Sequence, residues 1–424
     1  MQILFCFLLF AVGIHLITAS TWVNHLDTDS FRVWGQVMAQ YGMFTIYISP
    51  HVVGPDVAPV NYGPLALLFI EITGKAYQVL HMTDKTSMFW QMLILKFFQV
   101  IFTLLCGMLA YLIGRRQNEW IGVAAAVMWF FNPSLFVNST IWGQNDSMLI
   151  FFILLGFWLI TEGHPIWGTL AFAATLLIKY QTIVFIPILL LELFVRYKLW
   201  KTLKAILIAA VASLATFVPF MAASHSWLLP YTLFKNNLFP ASTSLSVNAM
   251  NFYTLLGFNL SSNNDTLRLV GPISYHTLSL AFIGLCVLLT LLIYWKGKNR
   301  SLWFTGLVIM QIIFMFTTGM HERYQIIVLP FAFMSWLITR RKNFFAMWIA
   351  LTVMTCWNQM MVMFGNVQMG AWYSSHTAQF YIVGSAVNLL LLIWTVTDTL
   401  LYIFSNQTKS KQDAHRNIGV ALAN

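Results

Sequence analysis

The chain has 424 residues, 59% of them apolar and only 8% charged, with a mean hydropathy of +0.74. That composition excludes a soluble globular domain. The formal charge of +10 is scattered over short loops, and a nucleic-acid-binding surface would need it gathered on one folded face.

Runs of about 20 apolar residues cross a bilayer. Twelve such runs are read here: 1–20, 88–113, 120–137, 147–160, 165–178, 180–195, 203–222, 272–294, 301–318, 324–339, 344–364 and 377–403. The first has a signal-peptide-like end at Thr18-Ala19-Ser20, but it lacks a basic start and its removal would leave an odd number of spans. It is read as a retained helix. The expected fold is an all-α polytopic membrane domain over 1–404, with amphipathic surface helices in its first outer loop and a polar cytoplasmic tail at 405–424.

The loops alternate in character. One set is basic: Arg115 and Arg116; Arg196, Lys198, Lys201 and Lys204; Lys296, Lys298 and Arg300; Arg340, Arg341 and Lys342; and the tail with Lys409, Lys411 and Arg416. The positive-inside rule puts these loops and both termini in the cytoplasm. The other set, chiefly 21–87 and 223–271, carries Asp27, Asp29, Asp56, Asp84, Asp146, Asp265 and Glu322. The elaborated face is therefore the outer one, which in a bacterium is the outside of the plasma membrane. Cys6, Cys106, Cys286 and Cys356 fall inside spans, far apart, and read as buried apolar residues; neither a disulfide framework nor a zinc site is indicated.

The first outer loop opens with an acidic, aromatic stretch. Asp27, Phe31, Trp34, Met38 and Tyr41 recur at steps of four and three, which places them on one helical face, with Arg32 and Gln36 elsewhere. Such a helix is too polar to cross the membrane and lies along its surface. The loop ends at Asn61-Tyr62-Gly63-Pro64.

Four more polar clusters follow at the outer ends of spans, where ionisable groups are costly and need a reason. Trp142-Gly143-Gln144-Asn145-Asp146 offers an N-cap for the next helix and, beyond that, polar groups for a ligand. Lys179-Tyr180-Gln181 places a cation on the outer side, against the usual bias, and so points to an anion as well as to simple snorkelling. Asn248 and Asn251 share a helical face suited to sugar hydroxyls or to a loop cap. In Met320-His321-Glu322-Arg323-Tyr324, an internal ion pair competes with a phosphate site in which the planar Arg323 fork and His321 donate. Together these clusters ask for an anionic group at the membrane surface with a lipid tail beneath it. A carboxylate facing it completes a group-transfer site.

These residues carry a resemblance. The chain is similar to polytopic glycosyltransferases of the GT-C class, above all to bacterial mannosyltransferase-like proteins related to the second GPI-anchor mannosyltransferase. An early outer-loop Asp with Phe four and Trp seven residues later is matched by Asp27, Phe31 and Trp34. Trp-Gly-Gln-x-Asp is matched by Trp142 to Asp146, Lys-x-Gln with a later Pro by Lys179, Gln181 and Pro187, and Asn-x-x-Asn by Asn248 and Asn251. Met-His-Glu-Arg-Tyr is matched without change by Met320 to Tyr324. One departure stands out: the family often has Asp-Tyr-Pro-Pro where this chain has Asn61-Tyr62-Gly63-Pro64.

The resemblance implies an inverting transfer of a mannose-like or glucose-like hexose from a polyprenyl-phosphate donor to a glycan, glycolipid or protein acceptor. It implies Asp27 as general base with Asp29 close by, and Arg323, His321 and Lys179 around the donor phosphate. Trp34, Tyr62, Gln144, Asp146, Gln181, Asn248, Asn251, Glu322 and Tyr324 would line the substrate site. Asp27-x-Asp29 also resembles a metal-binding pair, so a divalent cation is left open, and no other cofactor is claimed. The rival readings are a lipid or sugar transporter or flippase, which would show repeats and polar groups at mid-membrane, and a structural subunit in which Asp27 and Arg323 are dispensable.

Overall fold

The computed structural model describes residues 2–22, 25–49, 51, 59–83, 85–238, 244–260, 267–368 and 370–405. Asp56, Asp84, Asp265 and the tail residues Lys409, Lys411 and Arg416 lie outside the described residues, as does the expected tail beyond Ser405.

The chain is an all-α polytopic membrane protein. Helix α1 (Gln2–Thr21) is followed by α2 (His25–Tyr41), a 3-10 turn (Met43–Ile48), α3 (Pro64–Val79), α4 (Met88–Leu95), α5 (Phe97–Gly114) and α6 (Glu119–Phe130). A single turn, α7 (Pro133–Leu135), runs into a π-helical segment (Phe136–Trp142). Then come α8 (Asp146–Thr161), α9 (Pro165–Ile178), a 3-10 turn (Tyr180–Phe185), α10 (Ile186–Arg196), α11 (Leu199–Ala223), α12 (Leu229–Leu238) and α13 (Phe252–Leu255). The last five are α14 (Tyr275–Lys296), α15 (Leu302–Phe316), α16 (Leu329–Thr339, preceded by a 3-10 turn), α17 (Lys342–Gln368) and α18 (Gly370–Phe404). Sheet is minimal: β1 (Ser246–Val247) pairs in parallel with β4 (Met320–His321), and β2 (Arg268–Val270) with β3 (Ile273–Ser274).

Among the described residues seven helical stretches are long and apolar enough to cross a membrane, and four more of the twelve expected spans form shorter apolar helices. The four short ones are Asp146–Thr161, Pro165–Ile178, Leu302–Phe316 and Tyr324–Thr339. At 1.5 Å per residue they are about 21–24 Å long, short of a hydrocarbon core of roughly 30 Å. Each has one end at a polar cluster: Asp146, Lys179, or the segment 319–323. They stop where charge begins. Between them lies an aromatic core, with Phe157 against Phe172 and Trp303 and with Phe185 stacked on Phe331 at 5.1 Å.

Two expected spans are interrupted. The run 88–113 breaks at Lys96, whose side chain turns inward, so that α4 and α5 are separate helices. The run that starts at 120 continues past 137, but as a turn and a π-segment ending at Trp142.

Side-chain contacts tie the basic loops to one end of the bundle. Arg116 pairs with Glu162, Arg340 donates to Gln117 at 2.7 Å, Arg341 approaches Asp398 at 3.6 Å, and Asn299 bonds the Tyr402 carbonyl at 2.9 Å. The start of α8 at Asp146 is therefore at the opposite end from Glu162. That opposite end holds the polar clusters.

Helix α2 forms where the aromatic periodicity places it. Phe31, Trp34 and Met38 are buried, while Tyr41 at its end is exposed and stacks on His51. It packs on α3 so closely that a Cβ added at Gly74 would lie 2.0 Å from the Gly35 carbonyl oxygen. Only two glycines allow that approach, and it fixes the helix carrying Asp27 to its neighbour.

Candidate active site

The site is assembled from five segments that the sequence spreads over 300 residues. The π-segment widens the helix before Trp142, and Gly143 turns the chain in a left-handed conformation, φ 87°, that glycine adopts at no cost. This aims the indole at α2, where its Nε1–H donates to Asp27 Oδ2 at 2.6 Å. The face of the same indole lies under the Arg323 guanidinium, 5.2 Å from ring centroid to Cζ. One tryptophan thus contacts both the carboxylate and the cation.

Arg323 is held by Glu322, whose Oε1 accepts from Nη1 at 2.7 Å, and its guanidinium also lies over Tyr324. Its Nε–H is buried with no partner among the described residues. Burial works against the charged form, but Glu322, Tyr324 and Asp27 outweigh it and hold the guanidinium protonated more firmly than usual. Burial, then Arg323 and Lys179, push the His321 imidazole below its ordinary range, so the ring is neutral at physiological pH.

Lys179 sits where α9 ends in extended backbone, φ −139° and ψ 126°. Its ammonium forms a buried pair with Asp146 Oδ1, and Asn138 donates to the other carboxylate oxygen at 3.0 Å. Asn145 occupies the N-cap position of α8 without a side-chain cap bond; its side-chain Oδ1 instead accepts from Gln99 Nε2 at 2.8 Å. The expected capping role is thus replaced by a cross-helix contact, and Asp146 is committed to Lys179.

Tyr62 joins the clusters. Its ring packs on Phe31 and Trp34, its hydroxyl donates to Gln144 at 3.1 Å, and Lys179 lies 5.4 Å from its centroid. The departure at Gly63 has a steric cause here. A Cβ at that position would lie 2.3 Å from the Leu177 carbonyl oxygen, and the Gly63 N–H donates to Ile178 at 3.1 Å. A proline would lose the donor and clash.

Asn61, Tyr62, Lys179, Tyr180, Gln181, Asn237, Arg323 and Tyr324 line a cavity of about 40 Å³. Its two cations and three amides suit a phosphate and sugar hydroxyls, although its volume holds only a few waters. Asn237 on α12 was not singled out from the sequence, and neither was the role of Trp142 as partner of Asp27.

The remaining expected residues sit to the side. Asn251 caps α13 through Thr254 N, and its Nδ2 is buried without a partner among the described residues; Asn248, at φ 56°, exchanges hydrogen bonds with Asn259. The strand before Asn248 pairs Val247 with His321, so this loop holds the His321 segment in place. Asp29 pairs with Arg32 at 3.7 Å on the flank of α2, whereas Asp27 faces Trp142. Among the described residues no three His, Cys, Asp or Glu side chains converge as a metal-binding group.

A model of glycosyltransferase family 87 matches residues 61–318. The match takes in the segments of Tyr62, Trp142 to Asp146, Lys179 and Asn248 to Asn251; Asp27 and Arg323 flank it. No curated protein matches the chain.

Proposed function

Because the chain belongs to glycosyltransferase family 87, we propose that it moves a hexose, mannose-like or glucose-like, from a polyprenyl-phosphate donor to an acceptor hydroxyl, with inversion and with Asp27 as base. The acceptor oxygen gives its proton to the Asp27 carboxylate and attacks the anomeric carbon. The bond from that carbon to the phosphate oxygen breaks, and its electron pair leaves with the lipid phosphate. Arg323 neutralises the charge that develops there, its unpartnered Nε–H being the donor ready to meet a phosphate oxygen. The products are a glycoside and the polyprenyl phosphate.

The observation that carries this reading is the placement of Asp27 and Arg323 on the edge and face of Trp142. A base and a phosphate cation held by one rigid side chain are set for a single displacement between them. Lys179 enters as a cation already matched by Asp146, so it contributes position and partial charge. His321 contributes a neutral N–H. Asn61, Gln181 and Asn237 face the cavity as sugar-hydroxyl partners. The short helices around the site support a reaction centre set below the membrane surface, within reach of a lipid-borne phosphate, with the basic end in the cytoplasm and the site outside.

Sugar transfer in proteoliposomes from a defined polyprenyl-phosphate hexose, with donor binding measured separately, tests the reading. Arg323→Ala is expected to weaken donor use by roughly ten- to a hundredfold, and Arg323→Lys by less, because lysine keeps the charge and loses the fork. Normal donor kinetics for Arg323→Ala would make this arginine an anchor only.

A further inference from the structure

Lys96 has no motif around it, yet among the described lysines it is the one with no solvent exposure. It stands between α4 and α5, and its ammonium donates to two backbone carbonyls, Trp22 O and Ile141 O, each at 2.6 Å. Among the described residues it pairs with no carboxylate. Its stem covers Gly143, where an added Cβ would lie 3.2 Å from Lys96 Cγ and 3.3 Å from Cε, with Thr28 Cγ2 just beyond.

Both carbonyls are significant by position. Trp22 precedes α2 and lies five residues before Asp27; Ile141 immediately precedes Trp142. The side chains of Asp27 and Trp142 meet in the hydrogen bond described above. The ammonium thus joins the two backbone segments whose side chains form the base and its orienting donor. A buried cation is expensive. A packing role alone would be met by Met or Leu, whereas clamping two carbonyls from separate segments needs a side chain with several donors.

We propose that Lys96 is a positioning residue for the transfer reaction, clamping the Trp22 and Ile141 carbonyls so that the Trp142 indole holds the Asp27 carboxylate in its reactive direction. The inference rests on Asp27 being the base. Its effect belongs to turnover and leaves donor capture by Arg323 nearly unchanged.

The test is a double-mutant cycle between Lys96→Met and Trp142→Phe, with turnover and donor binding measured in proteoliposomes. Lys96→Met is expected to lower kcat by about tenfold or more, approaching the roughly hundredfold cost of a misplacement of about 1 Å, with donor affinity little changed. Adding it to Trp142→Phe is expected to cost far less than the two single losses multiplied together. If Lys96→Met does not accumulate as folded protein, Lys96→Gln, which keeps a shorter donor, is run through the same cycle with the same expectation. Losses that multiply independently, or a loss of donor affinity with kcat intact, overturn the proposal. Asp27→Asn measured alongside separates the two readings. If that variant is fully active the base assignment fails, and if it is dead while the Lys96 variants turn over normally only the clamp fails.

Discussion

The Trp142 indole donates to Asp27 Oδ2 across 2.6 Å, joining residues 115 apart in the chain. Its edge contacts a carboxylate while its face carries the Arg323 guanidinium, so the two contacts can be removed separately. Trp142→Phe removes the N–H and keeps a ring, and is expected to lower turnover with donor affinity retained. Trp142→Ala also removes the cation–π contact, worth about 0.5–2 kcal/mol, and is expected to weaken donor binding as well. Steady-state kinetics on the two variants check this; equal kcat and KM for both would mean the ring serves packing alone.

The buried Lys179–Asp146 pair bears on stability. Removing one partner leaves an uncompensated buried charge, a cost of about 3–5 kcal/mol, whereas removing both is far milder. Lys179→Met is therefore expected to lower the thermal unfolding midpoint in detergent sharply, and Lys179→Met with Asp146→Asn to recover much of it. A double variant as unstable as the sum of the singles would contradict the pairing.

His321 gives a pH signature. Its folded pKa lies below the ordinary value near 6.5, so the unfolded chain takes up a proton first as pH falls. The stability tied to neutral His321 is complete above that ordinary value and is lost as pH drops below it towards the folded pKa. His321→Gln is expected to flatten this acid-side loss in unfolding measurements. The pH–rate profile between about pH 6 and 8 is expected to match that of the unmodified protein, since the ring stays neutral there. Disappearance of a limb near 6.5 in the variant would show that the imidazole titrates during turnover.

The seat of α2 is tested by Gly74→Ala. The new Cβ would meet Gly35 backbone at 2.0 Å, and backbone cannot step aside. Overpacking of this kind costs about 1–3 kcal/mol and here displaces Asp27 with its helix. Reduced turnover together with a lower unfolding midpoint is expected; unchanged values for both would mean α2 is not fixed by this contact.

Much of this arrangement was legible in the sequence, for local reasons. The three-and-four spacing of Phe31, Trp34 and Met38 specifies a buried face without any knowledge of what covers it. Polar residues in an apolar run stand out whatever their partners, which is why Asp146, Lys179 and Arg323 were visible. Their pairing was not. Lys179 with Asp146, Trp142 with Asp27 and Tyr62 with Gln144 are contacts between distant segments, set by where helices end. Lys96 was hidden inside a run that reads as one span, because composition averages a single cation away. The spacing of Asn248 and Asn251 predicts a shared helical face for sugar hydroxyls or a loop cap. In the structure Asn248 is left-handed and Asn251 extended, so they share no helix, and Asn251 serves as a cap while Asn248 lies in the loop behind His321.

The central claim is that Asp27, oriented by Trp142, takes the acceptor proton, while Asp29 on the flank with Arg32 does not. Asp27→Asn keeps the shape and the acceptor for the indole but cannot serve as base. Sugar transfer from a defined polyprenyl-phosphate donor in proteoliposomes, with donor binding assayed in parallel, compares it with Asp29→Asn. Near-complete loss of turnover with donor binding retained is expected for Asp27→Asn, and substantial activity for Asp29→Asn. Normal transfer by Asp27→Asn, with Asp29→Asn inactive, would contradict the account.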